Sequence, residues 1–193
     1  VMAKADPLDL KYPLALWNAL LCAFSFMGMC RTVPFMLHMI TSKPTFHNSI
    51  CDHGDYFGSG PVGFWVTLFC FSKVPELVDT IFIISRKKPL LFLHWFHHAT
   101  VLLYCWHAFS TKASSGIYFV AMNYTVHAIM YCYYWLEAWK ICPKSFPSQI
   151  ITLIQILQMV VGVCVCLSSF YYTHYGRKCD IVESNMYAAA IMY

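Results

Sequence analysis

Charge is what this chain has least of. Asp, Glu, Lys and Arg together make up 11% of its 193 residues, while 59% are hydrophobic and 18% aromatic. A soluble domain carries about a quarter charged residues. That class is excluded, and the lipid bilayer becomes the first partner to expect. The sequence also lacks a low-complexity tract, an obvious repeat and any segment polar enough for a soluble domain. No initiator methionine or cleavable signal pattern opens it, and its last apolar run stops at Tyr193. The expectation is a single transmembrane domain over 1–193, cut from a longer protein at both ends. No nucleic-acid partner is expected.

What is present is a series of long apolar runs at 13–39, 62–85, 90–109, 117–139 and 149–172. Each reaches the roughly 20 residues that a helix needs to cross the hydrocarbon core. A sixth begins near Asn185. The expected fold is an all-α integral membrane protein, a multi-span helical bundle. Lys4, Lys11, Arg86, Lys87, Lys88, Lys140 and Lys144 fall on one side. Lys43, Lys112, Arg177 and Lys178 fall on the other, diluted by Asp52, Asp55, Asp180 and Glu183. The first side is the cytosolic one by the positive-inside rule. Of ten cysteines, Cys51 and Cys179 lie in loops on the opposite side. They can pair if that side is an oxidising lumen. The glycosylation sequon at Asn123-Tyr-Thr125 lies inside an apolar run and is discounted.

Few polar residues interrupt the runs. The densest group is His94, His97 and His98, whose spacing puts three imidazoles on one helical face. Polar groups in hydrocarbon are expensive, so such a cluster marks a functional site. The second run carries Lys73, Glu76, Asp79 and Thr80. Glu76 lies eight residues before Ile84, the end of its run, or roughly 12 Å along a helix. His97 and His98 lie at a similar depth in the third run. The fourth carries Asn123, His127, Tyr131 and Tyr134 on one face, and the fifth carries Thr152, Gln155 and Gln158. Four runs thus deliver polar side chains to one layer of the bilayer, in its cytosolic half. Pro75 is expected to break or kink the second run just before Glu76. Glu76 and Asp79, three apart, are expected to hydrogen-bond imidazoles and set their tautomers, with Lys73 neutralising one of them. The same residues also fit an ion-pair network that only ties helices together.

Three functional classes fit such a pocket. One is a di-iron membrane desaturase or hydroxylase, since imidazole suits iron; a single box plus His127 leaves it short of ligands. A second is a proton-coupled transporter using Glu76, Asp79 and His127. A third is metal-free acyl transfer with imidazole as nucleophile and acid–base. Here four motifs carry a resemblance. Lys-Val-Pro-Glu-Leu-Val-Asp-Thr, His-Trp-Phe-His-His, Asn-Tyr-Thr-Val-His-Ala-Ile-Met-Tyr and Thr-Leu-Ile-Gln-Ile-Leu-Gln follow one another, one per run, from Lys73 to Gln158. In that order they resemble the very-long-chain fatty-acid elongases, the membrane 3-ketoacyl-CoA synthases.

The resemblance implies a seven-span endoplasmic-reticulum protein enclosing an acyl-chain tunnel, of which five full spans and the start of a sixth lie here. It implies decarboxylative condensation of long-chain acyl-CoA with malonyl-CoA to a 3-ketoacyl-CoA, CoA and carbon dioxide. No cofactor or metal is implied. Trp95 after His94 resembles members acting on saturated and monounsaturated chains. The box alone does not separate His97 from His98 as nucleophile; the resemblance selects His97, with His94 and His98 tuning it. His127, Asn123, Gln155 and Gln158 would face developing oxyanions, and Tyr131 would support the site. Arg86, Lys87, Lys88, Lys140 and Lys144 at a cytosolic mouth would hold the CoA phosphates. The reductases and dehydratase of an elongation cycle, and a second copy of the chain, are the expected protein partners.

Overall fold

The computed structural model describes residues 8–52, 56–142, 147–175, 179 and 181–192. They form α1 (Lys11–Ser42), α2 (Phe46–Cys51), α3 (Gly60–Glu76), α4 (Val78–Ser85), α5 (Phe92–Ser110), α6 (Gly116–Ala138), α7 (Gln149–Tyr175) and α8 (Glu183–Met192), and no strand occurs among the described residues. Two helices are long and apolar enough to cross a membrane by length and composition. They are α1, with a mean hydropathy of 1.6 over its most apolar stretch, and α7, with 2.5. The rest of the chain leaves much of their surface bare. Leu16, Leu20, Phe26 and Leu37 on α1, and Leu153, Ile156, Leu157, Val160 and Leu167 on α7, are all exposed. Apolar faces of that extent suit lipid rather than water. The five apolar runs do not all become continuous apolar helices, because α5 and α6 carry the polar residues of the pocket and the second run is divided.

That division lies beyond the expected position. The break falls at Leu77, after Glu76 rather than before it. Leu77 keeps helical angles (φ −63°, ψ −19°), but its N–H reaches back to the carbonyl of Val74 at 3.1 Å, and Thr80 N–H does the same to Leu77 at 3.1 Å. Pro75 has no N–H to give Phe71, and its ring crowds that carbonyl. The following turn tightens to i→i+3 bonding instead.

The longest packing seam joins α1 to α6, and the two run antiparallel. Tyr12 meets Trp139 (ring centroids 6.0 Å), Cys22 Sγ meets the Ala128 carbonyl (3.6 Å), and Phe24 meets Tyr124 (5.6 Å). The buried stripe of α1 includes Ala15, Asn18, Ser25, Gly28 and Thr32, small residues that let helices approach closely. Gly28 sits at the tightest point: a Cβ there would fall 2.5–2.7 Å from three ring carbons of Tyr124. The ring cannot swing away, because its hydroxyl donates to the Trp65 carbonyl (3.0 Å) and Phe24, Trp65 and Phe69 wall it in. Gly28→Ala is therefore expected to destabilise the protein by about 1–3 kcal/mol through overpacking, read as a lower unfolding midpoint in detergent. An unchanged midpoint would mean that α1 can slide off α6 freely.

The two ends of the bundle differ. At one end Leu8 N–H donates to the Ser85 carbonyl (3.2 Å) and Lys11 Nζ lies 5.9 Å from the Trp139 ring, so the start of α1 and the ends of α4 and α6 meet. At the other end a disulfide joins Cys51 to Cys179, 128 residues apart in sequence. Beside it His47 meets Tyr172 edge-on (4.8 Å) and the hydroxyls of Ser49 and Tyr118 are hydrogen-bonded (2.6 Å). Lys43 pairs with Asp52 (2.7 Å), and its hydrogen bond holds the Asp52 carboxyl below the usual range. Lys87, Lys112 and Lys140 end α4, α5 and α6 in the left-handed conformation (φ 52°, 50° and 58°). Each sits within a paired 6→1 and 5→2 closure such as Ile141 N–H to Leu136 and Lys140 N–H to Glu137. Glycine is the usual residue there; lysine adds a positive charge at the carbonyl end of the helix.

Candidate active site

The last turn of α3 places Lys73 and Glu76 on one face, against α6. Both are buried, at 3% and 5% exposure, where an unpaired charge would be untenable. Lys73 Nζ donates to both Glu76 oxygens (2.7 and 2.9 Å) and to Asn123 Oδ1 (2.8 Å), using all three of its donors. It also lies 4.1 Å from the centre of the Phe69 ring. Ser72 Oγ donates to Glu76 Oε1 (3.1 Å). Because Asn123 accepts through oxygen, its amide nitrogen is the group facing His127 Nε2 at 3.3 Å. That nitrogen can only donate, so a neutral His127 accepts at Nε2 and carries its proton on Nδ1. Nδ1 faces Glu76 Oε1 at 3.8 Å. The lysine thus fixes the amide, the amide fixes the imidazole tautomer, and the carboxylate meets both cations or donors.

Asp79 does not join this group. The expectation that it orients an imidazole does not hold. Asp79 keeps the α6-facing side that it shares with Glu76, but one turn further along, the partner on α6 is Tyr131 rather than an imidazole. Its Oδ1 accepts from Trp17 Nε1 (2.6 Å) and its Oδ2 from the Tyr131 hydroxyl (2.6 Å). Tyr131 in turn sets its ring edge-on to His127, one helical turn away (5.3 Å). Trp17 is a neighbour of Asp79 that the sequence did not mark, since an indole in an apolar helix reads as core or as an interfacial anchor.

The three box histidines line one face of α5, which packs along α3 (Phe71 and Trp106, ring centroids 6.0 Å). The rings of His94 and His98 are 4.5 Å apart and those of His97 and His98 are 6.1 Å apart. The charges of Glu76 and Lys73 act on His97 and His98, so these two rings lie within electrostatic range of the network. His94 Nε2 is buried and finds no hydrogen-bond partner among the described residues. On α7, Gln158 is buried, and Gln155 turns its amide to Met130 Sδ on α6 (3.1 Å).

Arg86, Lys87 and Lys88 follow α4, and Lys140 follows α6, at the end where Leu8 meets Ser85; Lys87, Lys88 and Lys140 are exposed and Arg86 is half-buried. Lys144 lies outside the described residues. Among those residues, the one His/Cys/Asp/Glu group whose ligand atoms all lie within 4.8 Å is His47, Cys51 and Cys179, far from the box and two-thirds disulfide.

The whole chain, residues 1–193, matches the model of the ELO: GNS1/SUR4 family. It is 44% identical over 194 residues to a very long chain fatty acid elongase 6 of Drosophila melanogaster, covering 100% of this chain and 61% of that protein. It is 42% identical to very long chain fatty acid elongase 6 of Gallus gallus, covering 100% of this chain and 72% of the relative. It is 38% identical to fatty acid elongase 3 of Trypanosoma brucei brucei (strain 927/4 GUTat10.1), again covering 100% and 72%. The chain therefore spans between three-fifths and three-quarters of the length of these relatives. A family match along its full length, with relatives 42% and 38% identical to it, shows that this chain belongs to the ELO family.

Proposed function

We propose that this chain is the catalytic part of a fatty-acid elongase that condenses a long-chain acyl-CoA with malonyl-CoA. The observation that carries the reading is the Lys73–Glu76–Asn123–His127 network within electrostatic range of the box of α5. It is a buried, fully engaged set of donors and charges beside imidazoles, suited to proton transfer and to steadying an oxyanion. In the proposed path an imidazole nitrogen of His97 attacks the thioester carbonyl carbon. A nitrogen–carbon bond forms, the carbon–sulfur bond breaks, and CoA leaves with a proton. Malonyl-CoA then loses carbon dioxide, and the electrons of that carbon–carbon bond become an enolate. The enolate carbon attacks the acyl-imidazole, the carbon–nitrogen bond breaks, the ring nitrogen takes up one proton from water, and a 3-ketoacyl-CoA two carbons longer departs. His94 and His98 tune His97, while His127 and Asn123 face the developing oxyanions.

The membrane setting completes the reading. The basic end, with Arg86, Lys87, Lys88 and Lys140, faces the cytosol, where CoA is found, and holds its phosphates. The disulfide end faces the lumen of the endoplasmic reticulum. The apolar runs of this chain supply five full spans and the start of a sixth of a seven-span bundle around the acyl chain. The 3-keto product requires reduction and dehydration, so enzymes of those classes act next.

The di-iron alternative would need Glu76 and Asp79 as ligands. Glu76 is taken by Lys73 and Ser72, and Asp79 by Trp17 and Tyr131, which weighs against it. The test is incubation of purified protein in lipid nanodiscs with labelled malonyl-CoA and acyl-CoAs of graded length. Label is expected in a 3-ketoacyl-CoA two carbons longer, with one carbon dioxide released per turnover. Iron-dependent consumption of oxygen with no labelled product would overturn the reading.

A further inference from the structure

We propose that Trp17, Asp79 and Tyr131 form a latch that holds the two halves of the broken second run in register with α6, and that Trp17 is a positioning residue for the reaction. This rests on the condensation reading above.

The need for a latch comes from the break. An unbroken α-helix would fix α4 relative to α3 through i→i+4 hydrogen bonds; at Leu77 these give way to two i→i+3 bonds, a weaker joint. Apolar packing does not replace it, because α4 contains no fully buried residue. Asp79, in its first turn, instead accepts two bonds of 2.6 Å, one from α1 and one from α6. Short bonds to a carboxylate are among the stronger ones available. Phe82, also on α4, lies against the Trp17 ring (6.3 Å).

The partners on α6 are evenly spaced. Lys73 reaches Asn123, Glu76 faces His127, and Asp79 reaches Tyr131. Positions 123, 127 and 131 lie four apart and so stack along one helical face. Both sides of the break are thus stitched to one stripe of α6, with His127 in the middle. Tyr131 makes the link direct, since the same residue that grips Asp79 walls the His127 ring. Trp17 closes the bracket from α1, the helix that packs antiparallel along α6. If Trp17 releases Asp79, α4 loses its side-chain hydrogen bond to α1, and Tyr131 alone holds the Asp79 carboxylate. The His127 ring then loses its fixed wall.

The test uses Tyr131→Phe, which keeps the ring and removes only the O–H, Trp17→Phe, which removes the N–H with part of the indole, and Asp79→Asn. Turnover per folded molecule is measured with acyl-CoA and malonyl-CoA, folded protein being counted by size-exclusion chromatography. Each variant is expected to lower kcat by about tenfold to a hundredfold, as small misplacements of reacting groups do, with KM for both substrates within about twofold. The Trp17→Phe/Asp79→Asn double variant is expected to lose less than the product of the two single losses, because both substitutions act on the same bond. A second readout is the indole proton spectrum of the six tryptophans. The resonance lost in Trp17→Phe should lie downfield in the parent protein and move upfield in Asp79→Asn. Parent protein without condensation activity would refute the elongase reading. Active parent protein with variants of unchanged kcat would refute the latch, as would additive losses or an indole resonance indifferent to Asp79→Asn.

Discussion

Glu76→Leu is expected to destabilise the protein by about 3–5 kcal/mol, the range found when one partner of a buried ion pair is removed. Lys73 Nζ would keep Asn123 Oδ1 at 2.8 Å and the Phe69 ring at 4.1 Å. It would lose both carboxylate oxygens in a site where its side chain is 3% exposed. Such an ammonium either draws in water or gives up its proton. The double variant Lys73→Met/Glu76→Leu separates structure from chemistry. Removing both charges leaves no orphan, and stability is expected to return to within about 1–2 kcal/mol of the parent. Condensation is not expected to return, because Asn123 would lose the lysine that fixes its amide and His127 the carboxylate opposite Nδ1. Chemical unfolding in detergent and the labelled malonyl-CoA assay read the two quantities. A double variant that condenses at the parent rate would reduce the network to a strut between α3 and α6.

His97→Ala carries the other large effect. Loss of a nucleophile that forms a covalent intermediate lowers turnover by about 10⁴-fold or more, while the fold should be unaffected because the ring is only half-buried. His98→Ala is expected to act differently. His98 lies 4.5 Å from His94, so its removal loosens a neighbour rather than deleting the acyl carrier, and a partial loss is expected. Equal losses from the two substitutions would mean that the box acts as one unit with no single carrier.

Much of this site was legible in the sequence because lysine, glutamate, asparagine and histidine are conspicuous in apolar helices. Lys73, Glu76, Asn123 and His127 were grouped by depth alone, and the structure joins them by direct contacts. Cys51 and Cys179 were paired by sharing a side of the membrane, and the structure joins them too. Asp79 was misplaced for an identifiable reason. It shares the α6-facing side with Glu76, but the residue opposite it there is Tyr131 rather than a histidine, and its other oxygen is taken by Trp17. Trp17 was missed because an indole in a greasy helix has the same appearance whether or not its N–H has a partner. Gly28 gave no signal either, since the need for hydrogen at that position depends on where the Tyr124 ring lies. The helix ends at Lys87, Lys112 and Lys140 were obscured because the residue in the left-handed position is not glycine.

The central claim, that a box imidazole carries the acyl group, is tested most directly by mass. Purified protein is incubated with acyl-CoA without malonyl-CoA, and its intact mass is recorded. One added acyl group is expected, mapping to the peptide that holds His97 rather than to any of the eight free cysteines. It should discharge when malonyl-CoA is added and be absent from His97→Ala. A His97→Ala protein that still condenses acyl-CoA with malonyl-CoA at the parent rate, with no acyl adduct in either protein, would contradict it.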